Sequence, residues 1–205
     1  MSWCHKYMAG ALGWRRDSVF TWNLYEGRLW SRYGICWKLK IAFRFARELR
    51  TIYDNLRQLE QDPSDPLYSF LKLRSRSYPH TPPFATVGKF HDWFTFLYRR
   101  RMPDPHSVSV EPFRHDLSDN SAIKFTHGDL HRSNILVTRS RLYRVLAIVD
   151  WERSGWFPSY WEARKAQYTA ERDEEWSKRY LPMILDQYAS TWDPWGYYRG
   201  HGLLS

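Results

Sequence analysis

From Phe45 onward the apolar residues fall into helical step. Phe45, Leu49, Ile52, Leu56 and Leu59 recur at intervals of four, three, four and three, which places them on one face. The pattern predicts a helix ending near Gln61, ahead of Asp62-Pro63 and Asp65-Pro66. A second helix is expected over Val87 to Arg100, with Phe90, Trp93, Phe94 and Leu97 inward and Thr86 as its N-cap. Then the period changes. Ile123 to Phe125 is β-prone, Ile135 to Thr138 is a compact apolar strand, and Tyr143 to Val149 is a second one. Only Arg139 to Leu142 separates the last two, so they should pair antiparallel. After Pro158, Ser159 to Ala170 and Asp173 to Tyr188 read as helices, with Pro182 as a kink or break. Asp193-Pro194, Gly196 and Gly200 suggest an irregular tail. Residues 62 to 85 and 102 to 120 read as Pro-containing connections, the first with a short helix around Leu67 to Leu73. Residues 1 to 40 show no steady period. The expected class is α+β, mostly helical, with one β-hairpin.

Composition narrows this. A chain of 205 residues, 43% hydrophobic, can bury the core of one good-sized domain. Aromatics reach 18%, with 12 Trp, which points to large packed ring surfaces. The longest aliphatic run, Val145 to Val149, falls far short of the roughly 20 residues of a membrane span. The opening stretch, a short apolar segment followed by Arg15-Arg16, does not suggest a cleaved secretion signal. Cys4 and Cys36 cannot build a disulfide framework or a four-thiolate zinc site, so a reducing, cytoplasmic setting is expected. The net charge of +9 favours anionic partners. The basic residues lie in short scattered clusters, however, and nucleic-acid binding is not expected.

The informative stretch is His127-Gly128-Asp129-Leu130-His131-Arg132-Ser133-Asn134, followed by Ile148-Val149-Asp150-Trp151-Glu152. Asn134 precedes the first hairpin strand and Asp150 follows the second, so pairing brings them side by side. Asp129 lies on the loop leading in. One amide oxygen and one carboxylate held together suit Mg²⁺, which takes one or two carboxylates plus substrate phosphates. Asp129 is then free to face a substrate. This is the layout of a phosphoryl-transfer centre. Plainer readings stand beside it. Asp129 and Asp150 could cap loops. His127 and His131 could bind a transition metal, although no third or fourth ligand is evident. The Trp156 to Trp161 aromatics are more simply core than sugar platform. The acidic run Glu171, Asp173, Glu174, Glu175 is more simply a solvated helix start than a site for a cationic substrate.

The stretch resembles the aminoglycoside phosphotransferase family, kinases of small-molecule hydroxyls with a protein-kinase-like fold. That family's catalytic loop reads His-Gly-Asp-x-x-x-x-Asn, and its later metal motif reads Asp-Trp or Asp-Phe after a hydrophobic strand. Both are intact here, and Gly155-Trp156-Phe157-Pro158-Ser159-Tyr160-Trp161-Glu162 is similar to the family's fungal branch. His127, Gly128, Asp129, His131 and Asn134 together would recur by chance in roughly one chain in ten thousand, at about 5% usage for each residue. The resemblance is strong from about Phe125 to Lys165 and reaches more weakly back to Ile41. It implies Asp129 as catalytic base, Asn134 and Asp150 as Mg²⁺ and nucleotide ligands, and ATP as phosphoryl donor to a small hydroxyl-bearing substrate. His127 braces the loop, Gly128 permits its close path, and His131 packs or touches substrate.

The resemblance also implies a small lobe, with a phosphate-covering loop and a strand Lys paired to a helix Glu. Such a lobe needs roughly 60 residues. Only residues 1 to 40 precede the large-lobe match, they hold no G-x-G-x-x-G, and they take no assignment. Lys38 or Lys40 with Glu48 could mimic the Lys–Glu pair, but Glu48 lies in the helix that matches the large lobe. The expectation is therefore a large (C-terminal) lobe over 41–205 with the small ATP-binding lobe truncated or absent. Such a chain is a shortened phosphotransferase, an inactive kinase-like binding or regulatory module, or a large lobe completed by residues 1 to 40 as an unusual substitute.

Overall fold

A computed structural model of the chain describes residues 19–21, 35–62, 64, 84–99, 103–104, 113–138, 143–170 and 175–199. The expected helix at Leu67 to Leu73, the turn at Arg139 to Leu142, Cys4, Glu171, Asp173, Glu174 and Gly200 lie outside them, as do the side chains of Cys36 and Lys38.

The long amphipathic helix, α1, spans Ile35–Leu56. Its buried face is Ile41, Ala42, Phe45, Ala46, Leu49 and Tyr53, the three-and-four spacing of a helix laid on a core. It stops short of Gln61. Leu59, counted in the stripe from sequence, is 48% exposed. Tertiary contacts at Arg57 end it. The Arg57 guanidinium lies 4.5 Å from the Tyr53 ring centroid and donates to the Ser159 carbonyl. The Arg57 carbonyl accepts from Lys124 Nζ at 2.9 Å, and the last turn tightens into i→i−3 bonds.

Helix α2, Val87–Arg99, starts as expected: Thr86 Oγ1 accepts from the Lys89 N–H at 3.1 Å. It buries Phe90, Phe94 and Leu97. Two antiparallel sheets follow. Strands β1 (Val19–Thr21), β3 (Ile135–Thr138) and β4 (Val145–Ile148) form one, in the order β1-β3-β4. The predicted hairpin is therefore present, with Ile135 opposite Ile148, though β4 is shorter than Tyr143 to Val149. Strand β2 (Ile123–Thr126) pairs with β5 (Gly155–Pro158), a strand the sequence pattern did not suggest. Its Pro lies at the strand end of a two-stranded sheet, where no ladder donor is lost.

Helix α3 spans Trp161–Thr169. A wide π-type turn, Trp176–Tyr180, leads into the short helix α4, Leu181–Ile184, so the helix expected to reach Tyr188 ends at Ile184. Pro182 sits in the first turn of α4, where its missing N–H is harmless. The expected irregular tail is instead a helix, α5, over Trp192–Arg199, and it buries Trp195 and Tyr198. Asp193-Pro194 open that helix rather than break it, because Pro fits the first turn with its φ already helical.

Two cores result. One joins α1, Leu130, Ile135, Val137, Ala163, Ala166, Trp176 and α4. The other is ring-rich: Phe90, Phe94, Phe157, Tyr160, Trp161, Trp195 and Tyr198. Trp161 meets Phe157 stacked at 5.3 Å and Trp195 edge-on at 5.0 Å. The arrangement is α+β, small antiparallel sheets held among helices. No described helix is long and apolar enough to cross a membrane.

Candidate active site

The loop from β2 to β3 carries most of the candidate residues, and its path is set by backbone hydrogen bonds to side chains. His127 is buried. Its Nδ1 accepts the Asp129 N–H at 3.2 Å, and its Nε2 lies 3.1 Å from the Val149 carbonyl. Both contacts are satisfied by the neutral ring protonated on Nε2. The ring meets Trp151 edge-on at 4.5 Å. His127 thus ties the start of the loop to the residue before Asp150.

Gly128 adopts φ +79°, and a Cβ there would stand 2.3 Å from the Arg153 carbonyl oxygen. A glycine is required on both counts. The Glu162 carboxylate accepts from the His127 N–H at 2.5 Å and from the Gly128 N–H at 3.2 Å. Burial raises the Glu162 pKa above the carboxylate range, against the opposing pull of His127, Arg57 and those two donors. α3 therefore holds the loop from below by one buried acid.

Asn134 ends a 3₁₀ turn, Arg132–Asn134, whose N-cap is His131. His131 Nδ1 accepts from the Ser133 N–H at 3.3 Å and lies 2.9 Å from Ser133 Oγ. The Asn134 Nδ2 donates to the Asp129 carbonyl at 2.9 Å, so its amide oxygen points the other way. The Asn134 carbonyl accepts the Val149 N–H at 2.9 Å. Asp150 follows directly. It is exposed, adopts φ 69° and ψ 57°, and its carboxylate bonds to no described residue. Asp and Asn tolerate this left-handed conformation better than most residues. The Asp129 carboxylate, half-buried, likewise accepts no hydrogen bond among the described residues. Asn134 and Asp150 are thus brought together at the open end of the hairpin, with Asp129 tied to Asn134. Among the described residues no three His, Cys, Asp or Glu side chains cluster as metal ligands. One amide and one carboxylate oxygen are a sparse, hard pair, and that fits Mg²⁺, which keeps several waters and takes the rest of its shell from substrate phosphates.

Elsewhere around the motif the plainer readings hold. Glu48 is no partner for a lobe Lys: it accepts from the Val145 N–H at 2.8 Å and pairs with Arg144 at 2.6 Å, clamping α1 to β4. Of the Trp156 to Trp161 aromatics, Phe157, Tyr160 and Trp161 are buried in the core. Glu175 is exposed and pairs with Arg179.

Two charged residues beside the loop were not visible as functional in the sequence. Glu162 is 2% exposed and Lys165 is 5% exposed. Burial pushes the Lys165 pKa down to about 8. The Arg153 charge adds to this, and Asp129 and Glu162 oppose it. α3 buries every residue from Trp161 to Ala166, charges included. The signal was hidden because a Glu and a Lys three apart on a short helix normally mark its solvent face.

Residues 113–201 match the model of the APH phosphotransferase enzyme family. The match runs through the His127 to Asn134 loop, the hairpin and α3, and it supports a kinase-like phosphotransferase at the level of the family. No curated protein and no solved structure matches the chain significantly.

Proposed function

We propose that the chain carries the large lobe of a kinase-like phosphotransferase, related to the fungal branch of the aminoglycoside phosphotransferases, which moves the γ-phosphoryl group of ATP to a hydroxyl of a small molecule. The observation that carries this reading is the junction at the hairpin end. Asn134 is bonded through its side chain to Asp129 and through its carbonyl to Val149, next to Asp150. These bonds link the loop that carries Asp129 and Asn134 to the strand end just before Asp150.

In this reading Asp129 accepts the proton of the acceptor hydroxyl. The hydroxyl oxygen bonds to the γ-phosphorus as the bond from phosphorus to the β–γ bridging oxygen breaks, and ADP leaves with that electron pair. The Asn134 and Asp150 oxygens would hold Mg²⁺, which when bound neutralises charge on the phosphates. His127, Gly128 and Glu162 act on the backbone and hold Asp129 in place. Most of the catalytic effect would come from this preorganisation.

Thermal unfolding of the full chain, with and without Mg²⁺ and ATP, tests the reading. Ligand at about a hundred times its dissociation constant stabilises by roughly 2.7 kcal/mol. At this size that is a rise of roughly 5–10 °C. Asp150→Asn should abolish the Mg²⁺-dependent part and leave the fold intact, because Asn also accepts the left-handed backbone. Asp129→Ala should keep the rise but lose phosphoryl transfer. No rise in wild type would make the segment a kinase-like binding or regulatory module instead.

A further inference from the structure

We propose that the Lys165 ammonium is an oxyanion-binding group of the Asp129 site, set to hold the terminal phosphoryl group as it moves. The identity of that phosphate rests on the phosphotransferase reading; the binding of an oxyanion does not. Lys165 lies three residues after Glu162 on α3, so the two share a face. Glu162 holds the backbone of His127 and Gly128, and Asp129 is the next residue. Lys165 therefore stands under the turn that presents Asp129.

The stem of the side chain is buried while its ammonium is not fully enclosed. Lys165 is 5% exposed, yet among the described residues its ammonium donates no hydrogen bond and lies in no ion pair. The Tyr168 ring centroid is 5.8 Å from Nζ. Glu162 is no substitute, since both of its oxygens are engaged by backbone N–H groups. An ammonium that has lost part of its hydration gains from an anion that replaces it. Asp129 and Glu162 favour its charge, and Arg153 disfavours it. An arriving phosphate would complete the set. Lys binds phosphate as a compact point charge, and beside Asp129 it would offset repulsion between that side chain and the incoming oxygens.

The test uses the full chain and inorganic phosphate without Mg²⁺. Phosphorus NMR should show broadening of the free phosphate line with wild-type protein and none with Lys165→Met. Phosphate also stabilises folded proteins by exclusion from their surface, so the thermal readout is the difference between the two proteins. Wild type should gain roughly 3–5 °C more than Lys165→Met at ten times the dissociation constant. Without phosphate, Lys165→Met should unfold at or above the wild-type temperature, because a desolvated charge has been removed. If that variant does not unfold cooperatively, Lys165→Gln takes its place. No broadening with wild type, or equal broadening with the variant, overturns the proposal. With Mg²⁺, Lys165→Met should lose part of the shift given by ATP and keep that given by ADP. Equal losses overturn the assignment to the terminal phosphoryl group. A phosphate response without any Mg²⁺-ATP shift would keep the oxyanion site and sink the phosphotransferase reading; the reverse result would sink the Lys165 assignment alone.

Discussion

Gly128→Ala should be among the most damaging single-methyl additions in the chain. The methyl would stand 2.3 Å from the Arg153 carbonyl oxygen, 3.1 Å from its carbon and 3.3 Å from its Cβ. The nearest atom is backbone, so no side-chain rotation relieves the contact. The φ of +79° adds about 1–2 kcal/mol for any L side chain. Forcing the loop and the Trp151–Arg153 turn apart adds about 1–3 kcal/mol, as for overpacking elsewhere. The sum, about 2–5 kcal/mol, is a large share of the stability of an ordinary domain. Urea unfolding followed by tryptophan fluorescence measures it, as a lower midpoint at unchanged slope. Gly196→Ala is the internal control. It lies within α5 with nothing inside 4 Å of its would-be Cβ, so it should stabilise by about 0.5–1 kcal/mol. The same substitution then has opposite signs at two sites. Gly128→Ala within about 0.5 kcal/mol of wild type would refute the described path of the loop, and with it the junction of Asp129, Asn134 and Asp150.

Two further outcomes follow from buried polar groups. His91 is fully buried between Tyr160 Oη at 2.9 Å and Asp119 at 3.3 Å, and burial pushes its pKa from 6.5 down to about 4 against the Asp119 hydrogen bond. Between those values the unfolded chain binds a proton that the folded chain refuses, so stability falls as pH drops from about 6.5 to 4, by roughly 3 kcal/mol from this group. Urea midpoints taken across that range should fall less steeply for His91→Gln; equal slopes would remove His91 as the cause. Glu162→Gln should cost about 1–3 kcal/mol, because its NH₂ replaces one acceptor oxygen and sets a donor against a backbone N–H of His127 or Gly128. Hydrogen exchange at those two amides should then accelerate at least tenfold, and unchanged protection would show that the loop is held by something else.

What the sequence could determine was local. The α2 boundaries and their Thr86 cap, the β3 strand and the antiparallel hairpin follow from periodicity, capping chemistry and loop length, which act over a few residues. The grouping of Asn134 with Asp150 was legible for the same reason, since one short hairpin joins them. What the tertiary structure decided depends on distant partners. α1 stops at Leu56 because Arg57 turns toward Tyr53, Ser159 and Lys124. Gly155–Pro158 is a strand because Ile123–Thr126 lies beside it. Trp192–Arg199 is a helix because Trp195 and Tyr198 find the ring core around Phe94 and Trp161. Glu48, Glu162 and Lys165 carry the same lesson for charge. In the sequence each looks like solvent-facing helix surface, and only burial against the hairpin and its loop turns Glu48 into a strand clamp, Glu162 into a backbone anchor and Lys165 into a largely buried cation with no hydrogen bond or ion pair among the described residues. Spacing along a helix says which residues share a face; it takes the packed chain to say what that face meets.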